Sequence, residues 1–426
     1  MKFTALDLAK PLQQAVDACG YSEMTPVQQK AIVPARRGKD ILANAQTGTG
    51  KTAAFALPIL QQMCDKPYAV EAGYTRAVIL TPTRELAEQL AETINRYAQF
   101  LTLNITACYG GVSMESQKRK LSRGVDILIA TPGRLLEHLV QCNTNLSRAQ
   151  FVVLDEADRM LDMGFVTDVA SILRHTPDHR QSMLFSATIS AEVQTLSRAI
   201  LKQHVDIRAA KINVAADTIE HVVYPVEERR KADLFSELIH KFNWFQVLVF
   251  TSTKAQADAL VKKLKNTGVT TVLCHGDKTQ GTRRRALADF KAGKVQVLIA
   301  TEVAARGIDI PGLEYVVNYN LPYLAEDYVH RIGRAGRAGN KGYAISFVSR
   351  EEERSLSNIE RLINTQVKRI HMPGYDVGNR DILRKNIAKG KRKAPTNKAT
   401  HTNISRTSNT PKSTTGKNPR LTRKSK

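Results

Sequence analysis

An apolar run, Asp40-Ile41-Leu42-Ala43, passes into the small-residue segment Ala45-Gln46-Thr47-Gly48-Thr49-Gly50-Lys51-Thr52, then into the helix-forming stretch Ala53-Ala54-Phe55-Ala56-Leu57. Few folds accept that order. Small residues let backbone N–H groups close around an anion, and the following helix turns its positive end toward it. This is the strand–loop–helix setting of a phosphate-binding loop, with Lys51 placed to reach terminal phosphates and the Thr52 hydroxyl to ligate magnesium. The strict pattern begins with glycine, where this chain has Ala45. Taken alone, the segment also reads as a plain glycine-rich turn.

A second signature narrows the choice. Val152-Val153-Leu154-Asp155-Glu156-Ala157-Asp158 is a short buried-type strand ending in carboxylates. Asp155 suits the outer sphere of a metal ion, and Glu156 suits polarising a water. The two signatures together imply hydrolysis of a nucleoside triphosphate.

At 426 residues the chain has room for two to three domains. Its net charge of +23 points to polyanionic partners. That charge is unevenly placed. Residues 377–426 hold fifteen Lys or Arg against the single acid Asp381, whereas the preceding 376 residues hold 48 basic and 39 acidic ones. Five scattered cysteines without a C-x-x-C pair suggest neither a zinc site nor a disulfide framework. Cys274-His275 reads as a ligand or nucleophilic pair, or more simply as a buried thiol beside a polar loop residue. The start, Met1-Lys2-Phe3-Thr4, does not resemble a signal peptide, and no apolar run approaches membrane-spanning length. The expected location is the cytoplasm, with no membrane partner.

Short β-rich runs alternate with helical-period segments: Ala77–Leu80, Ile127–Ala130, Phe151–Leu154 and Ser182–Phe185, then Val247–Phe250, Val297–Ala300 and Tyr315–Asn318. Near-continuous apolar strands of this kind are buried on both faces, the mark of parallel α/β sheets. The series is too long for one sheet and pauses near residues 208–217, where a domain linker is expected. From about Gly378 the periodicity vanishes. That stretch cannot bury enough apolar surface to offset its ordering entropy and is expected to be disordered, with Gly390-Lys391-Arg392-Lys393 fitting a nucleic-acid arm.

The second half adds Ala300-Thr301-Glu302-Val303-Ala304-Ala305-Arg306-Gly307-Ile308-Asp309 and His330-Arg331-Ile332-Gly333-Arg334-Ala335-Gly336-Arg337. Three arginines spaced by three, with glycines between, read as a solvated basic turn or as arginine fingers aimed at phosphate charge. A phosphate-binding loop upstream favours fingers.

With these segments in view, residues 1–375 resemble the DEAD-box ATP-dependent RNA helicases of superfamily 2, the box being Asp155-Glu156-Ala157-Asp158. Phe3 and Gly20-Tyr21-Ser22-Glu23-Met24-Thr25-Pro26-Val27-Gln28 resemble the family's Q motif. In that motif Gln28 would read an adenine edge and Tyr21 stack on the ring. The resemblance implies two tandem RecA-like α/β domains with parallel sheets, bounded as a lead (1–30), a first domain (31–207), a linker (208–217), a second domain (218–376) and a disordered basic tail (377–426). It implies ATP and Mg2+ as cofactors, with Thr52 and Asp155 at the metal.

Further matches are Pro82-Thr83-Arg84-Glu85-Leu86, Gly110-Gly111, Thr131-Pro132-Gly133-Arg134, Ser186-Ala187-Thr188 and Gln280 through Arg283. By resemblance the Pro82, Gly110 and Thr131 clusters hold an RNA backbone. Hydroxyls, glycine amides and arginine suit phosphates and lack base-reading geometry. Thr251, Asp277 and Thr301 would complete the RNA surface, Ser186, Thr188 and His330 would couple nucleotide state to RNA grip, and Asp309 would contact the ribose. Lys51, Asp155, Glu156, Arg334 and Arg337 are the expected catalytic set. Two positions depart from the commonest pattern: Glu302 stands where Asp is usual, and Ala335 where Thr is usual, removing a hydroxyl beside the fingers.

The resemblance implies RNA-stimulated ATP hydrolysis by a monomer whose halves stand open without ligand and close on ATP and RNA. A translocating DNA helicase shares the generic parts but not the Q motif. An ATP-gated RNA clamp shares them all. The short lead and basic tail look like the bacterial RhlE-type branch, which suggests ribosomal precursor particles or RNA-decay machinery as partners.

Overall fold

The computed structural model describes residues 1–45, 48–208, 219–305, 308, 310, 312–336 and 341–375. Gln46, Thr47, Asp309 and Arg337, most of the expected linker and the basic tail therefore lie outside the described residues.

The first sheet has strands β1 (Ile41–Asn44), β2 (Thr75–Leu80), β3 (Ile105–Cys108), β4 (Val125–Ala130), β5 (Phe151–Asp155), β6 (Gln181–Ser186) and β7 (Val205–Arg208). The second has β8 (Ile219–Pro225), β9 (Val247–Thr251), β10 (Thr271–Cys274), β11 (Val297–Thr301), β12 (Tyr315–Asn318), β13 (Gly342–Val348) and β14 (Lys368–Arg369). Their spatial orders are β3-β4-β2-β5-β6-β1-β7 and β10-β11-β9-β12-β13-β8-β14. Renumbered from its own first strand, each sheet has one and the same order, and the strand pairs are parallel.

Burial on both faces explains the apolar runs. In β1, Ile41 and Ala43 pack into one cluster with Phe55, Val153 and Phe185, while Leu42 packs into the cluster on the opposite face with Leu128, Leu154 and Leu184. Each of the larger of these side chains contributes roughly 1.5–3 kcal/mol on burial, so both faces must be covered by helices. Among the described residues no helix is long and apolar enough to cross a membrane.

This layout decides where chemistry can occur. In parallel sheets the loops after the strand carboxyl ends gather along one edge. Ala45, Thr81, Tyr109, Thr131, Glu156 and Ala187 each directly follow a strand of the first sheet and so share that edge.

Candidate functional site

The loop after β1 is held by its neighbours. Ala45 is buried, and its N–H donates to the Ser186 carbonyl at 2.9 Å. Gly50 caps the helix Lys51–Asp65 at φ +87°. A Cβ there would sit 2.3 Å from Gln28 Nε2, so only glycine fits. Gln28 accepts from the Thr25 N–H at 2.8 Å and donates to the Gly50 carbonyl at 3.1 Å. In this arrangement the amide braces the phosphate loop. Tyr21 stacks on Phe3 at 5.7 Å, and its hydroxyl lies 3.2 Å from that of Tyr97.

Lys51 opens the helix with 5% of its side chain exposed, 3.4 Å from Asp155 Oδ1. Among the described residues its ammonium has no well-formed hydrogen bond. Burial by itself pulls its pKa down, but Asp155, Glu156 and Asp158 outweigh that and hold it above the ordinary value, so it stays charged. A buried, charged, under-coordinated ammonium beside glycines at positive φ fits a phosphate-bearing ligand. Thr52, half-buried on the same first turn, and Asp155 offer the hydroxyl and carboxylate oxygens that suit a hard divalent cation.

Glu156 is buried with φ +56°, a left-handed conformation that a non-glycine residue adopts at a cost of about 1–3 kcal/mol. Its N–H donates to Asp155 Oδ1 at 3.1 Å. Asp158 Oδ2 accepts from the Ala187 and Thr188 N–H groups and the Thr188 hydroxyl at 3.2, 3.0 and 3.1 Å. The Ser186 hydroxyl accepts from the Asp158 N–H and donates to the Thr188 carbonyl. Thus the box is tied to Ser186-Ala187-Thr188 by the carboxylate that closes it.

The next residue crosses to the second half. Arg159 Nη1 donates to Asp327 and to Asp162, and both Arg159 and Asp327 are largely buried. Glu156, Arg159, Glu302, His330, Arg331 and Arg334 line one small cavity between the halves. Thr188 and His330 line a larger one of about 570 Å³. Arg334 donates to the His330 and Ile308 carbonyls, which fix its guanidinium in place. The structure has the two halves in contact. Opposite charges close the seam: Arg283 on Glu85 at 2.8 Å, and Arg284 on Glu88 at 2.8 and 2.9 Å.

The three expected backbone-contact clusters of the first half follow β2, β3 and β4, adjacent strands. Pro82 and Thr83 are buried, and Thr83 caps the helix Arg84–Tyr97 by accepting from the Leu86 N–H. Arg84 lies across Gly110 and Gly111, and a Cβ on Gly111 (φ +81°) would collide with its guanidinium. Thr131, Pro132 and Gly133 start the next helix, and Arg134 Nη1 donates to the Val112 carbonyl and Gln117 Oε1, both at 3.1 Å. Gln117 also contacts the buried His138 at 2.8 Å. Burial and then the Arg134 charge lower the His138 pKa to about 4, so the ring is neutral.

In the second half Thr251 and Thr301 end the adjacent strands β9 and β11. Exposed Asp277 pairs with Lys254 at 2.5 Å. Cys274 and His275 are both buried, burial raises the thiol pKa, and the imidazole lies 3.3 Å from Asp258.

Both departures from the family pattern acquire a physical setting. The longer arm of Glu302 pairs with Arg331, which also donates to the Asn320 carbonyl at 2.7 Å. Ala335 does not face the cleft beside the fingers as expected. It is 3% exposed inside an apolar cluster with Phe250, Ile308 and Val316. Arg159, Lys254 and Asp327 were not singled out by sequence, and Arg331 entered only as one of the three spaced arginines, not as the partner of Glu302. Arg159 directly follows the box and Arg331 sits inside the arginine segment, and that adjacency was the available signal.

Residues 25–196 match the DEAD/DEAH box helicase family and residues 230–339 the helicase conserved C-terminal domain. The chain is 39% identical over 376 residues to the ATP-dependent RNA helicase DbpA of Bacillus subtilis, covering 88% of this chain and 77% of that protein. It belongs to the DEAD-box ATP-dependent RNA helicases. The DEAD-box helicase CshA of Bacillus cereus is also 39% identical, over 88% of this chain and 70% of that one. Among solved structures, Saccharomyces cerevisiae Dbp5 bound to RNA and ADP BeF3 is similar at TM-score 0.79 and 31% identity, covering 91% of this chain and 99% of that one. Membership makes this chain an RNA-stimulated ATP hydrolase of tandem RecA-like architecture.

Proposed function

We propose that this helicase separates short RNA duplexes locally, by closing its two halves on one strand when ATP is bound. The observation that carries the reading is the pair of links from neighbouring residues: Asp158 to Ala187 and Thr188, and Arg159 to Asp327. Whatever the carboxylate box senses is passed to the Ser186-Ala187-Thr188 turn and to the second half by direct bonds. Likeness to RNA-bound Dbp5 over both halves at once supports reading the seam as the closed state.

In this reading the loop from Ala45 to Gly50, with Gln46 and Thr47, wraps the phosphates, and Lys51 neutralises their terminal charge. Tyr21 and Gln28 serve the base, and Asp309 is assigned to the ribose by the family pattern. Magnesium, when held by Thr52 and Asp155, supplies Lewis-acid neutralisation of phosphate charge. Glu156, fixed in its left-handed turn, orients and deprotonates the attacking water. Arg334, and with it Arg337, meets the charge that develops on the transferred group, so catalysis rests on positioning and electrostatics.

One RNA strand runs over Pro82–Arg84, Gly110–Gly111 and Thr131–Arg134, then over Thr251, Asp277 and Thr301, with Lys254 a further phosphate contact. Backbone contacts of this kind select RNA without selecting sequence. The basic composition of residues 377–426 supports a place in the RhlE-like branch, acting as a cytoplasmic monomer in ribosome assembly or RNA turnover.

A series of duplexes of rising length, unwound with ATP, tests the reading. Local separation predicts activity that falls steeply with length. Length-independent unwinding points to a translocase instead, and ATP-dependent retention of RNA with no strand displaced points to a clamp.

A further inference from the structure

The end of the second sheet farthest from the cleft carries an aromatic surface that the helicase reading leaves unused. The helix Lys231–Phe242 stops at Asn243 with φ +49°, and Gln246 has φ +53°. Two non-glycine residues in the left-handed region within four positions cost conformational energy, and such outliers cluster at functional sites. Their effect is to turn Trp244 inward and Phe242 and Phe245 outward. Trp244 is 7% exposed, whereas Phe242 and Phe245 are 50% and 54% exposed. Side-chain amides fix the turn: Gln246 donates to the Phe290 carbonyl, and Gln296 to the Trp244 carbonyl.

Phe242 is the outer rung of a ladder. It stacks on Trp244 at 5.9 Å and 18°, Trp244 on Tyr315 at 5.6 Å and 25°, and Tyr315 on Tyr343 at 5.4 Å and 14°. Sealing the sheet end accounts for Trp244, Tyr315 and Tyr343. It does not account for two phenylalanines left in water. Lysines lie along the same end of the sheet. Lys241 Nζ lies 5.7 Å from the Phe242 ring centre. Lys291 and Lys294 flank Gly293, against which the Phe245 ring rests, and exposed Lys341 precedes Tyr343 by two residues. Two acids stand near: Asp289, paired with Lys294 at 3.4 Å, and Glu314.

We propose that the Phe242–Phe245 turn is a second binding site for single-stranded RNA, with bases stacking on Phe242 and Phe245 and phosphates drawn by Lys241, Lys291, Lys294 and Lys341. Flat rings beside flexible cations are the parts of sequence-tolerant strand binding. A protein partner fits less well, because lysine is depleted at protein–protein interfaces. The site is separate from the cleft. Tyr315 is paired with Val247, the first residue of β9, while Thr251 is its last. The strand puts about 13 Å between the two ends at its usual rise. A strand held here and in the cleft would be gripped at both ends of the second half.

Trp244 is the sole tryptophan of the chain, which supplies a reporter beneath Phe242. The full-length protein is titrated without ATP with decauridylate, unlabelled for Trp244 fluorescence and 5-iodouridine-labelled for photocrosslinking. The expected result is a saturable fluorescence change and a crosslink within residues 242–245. Phe242→Ala with Phe245→Ala removes the crosslink and raises the RNA concentration for half-saturation by about fivefold or more. Phe242→Tyr with Phe245→Tyr retains both. Because these residues are half-exposed, the thermal midpoint is expected to hold, and the tyrosine pair controls for folding. Crosslinks confined to the cleft loops, or alanine variants that bind RNA as the parent does, overturn the proposal. So does a parent protein that sediments as a dimer and becomes monomeric in the alanine variant, since the aromatics would then serve self-association. Neither readout depends on ATP turnover, so failure of the strand-separation reading leaves this test intact.

Discussion

Lys51 and Lys231 occupy the same place in two copies of one topology. Each is the first residue of the helix that follows the first strand of its sheet, and each is buried. Their surroundings differ. Lys231 lies 2.6 Å from both Glu228 and Glu352. Among the described residues Lys51 has Asp155 as its one ion-pair partner, at 3.4 Å. A buried ammonium with two close carboxylates is a finished structural element. One held charged by carboxylates yet lacking a good hydrogen bond is kept ready for a ligand. The fold thus supplies one position twice, and local chemistry leaves a charged, under-coordinated ammonium in one half and builds a clasp in the other.

Removing each lysine in turn separates the two roles. Lys51→Ala is expected to reduce RNA-stimulated hydrolysis by on the order of a hundredfold or more, as loss of a charge stabiliser in the transition state does. Its thermal midpoint should fall less than that of Lys231→Ala, since the pair it breaks, to buried Asp155 at 3.4 Å, is longer than either of the 2.6 Å pairs made by Lys231. Lys231→Ala should do the reverse. Leaving Glu228 and Glu352 without their cation costs about 1–3 kcal/mol of stability, less than a fully buried pair because Glu228 is about half exposed, while the folded fraction turns over ATP at a rate near that of the parent. Denaturant unfolding and steady-state hydrolysis on both variants decide the matter. Equal stability losses, or a catalytic collapse from Lys231→Ala, end the distinction.

A smaller effect separates the two buried histidines. His138, in the first half, is held neutral between Gln117 and Asn143, whereas His275, in the second, faces Asp258. With a pKa of about 4 in the folded state, His138 binds its proton less readily than an unfolded histidine near 6.5. The unfolded chain therefore takes up more protons, and stability is lost as pH falls from about 6.5 toward 4. His138→Gln, which retains an amide for Gln117, should flatten that acid limb and leave stability at pH 8 within about 1 kcal/mol of the parent. An acid limb of unchanged steepness would show that His138 titrates normally.

Much of this was legible because periodicity reports burial. Runs such as Phe151–Leu154 and Val297–Ala300 are continuous apolar strands wherever a sheet is covered on both faces, and they proved to be β5 and β11. The flanking β3, β10 and β14 are short and partly exposed and carry no such run. Motif spacing placed Lys51 and Glu156. It could not place Arg159 against Asp327, 168 residues away, or Glu302 against Arg331. A sequence pattern records which side chains leave water, whereas an ion pair depends on which strand ends the topology sets side by side. Ala335 shows the same limit from the other side: its neighbours in the chain are polar or glycine, and its neighbours in space are Phe250 and Ile308.

Ala335 also gives the finest test of the contrast between a ligand-facing edge and a packed interior. If it faced the cleft, Ala335→Thr would return the commoner hydroxyl to solvent and nucleotide, changing RNA-stimulated hydrolysis with no change in stability. With the residue 3% exposed in an apolar cluster, the hydroxyl must instead be buried. A carbonyl one turn back can accept from it, yet the added volume and partial desolvation still cost about 1 kcal/mol. The expected outcome is a thermal midpoint lower by a few degrees, with hydrolysis at saturating RNA changed less than twofold. Calorimetry and a hydrolysis assay on the single variant suffice. A shifted rate with an unshifted midpoint would move residue 335 out of the interior and into the cleft beside Arg334.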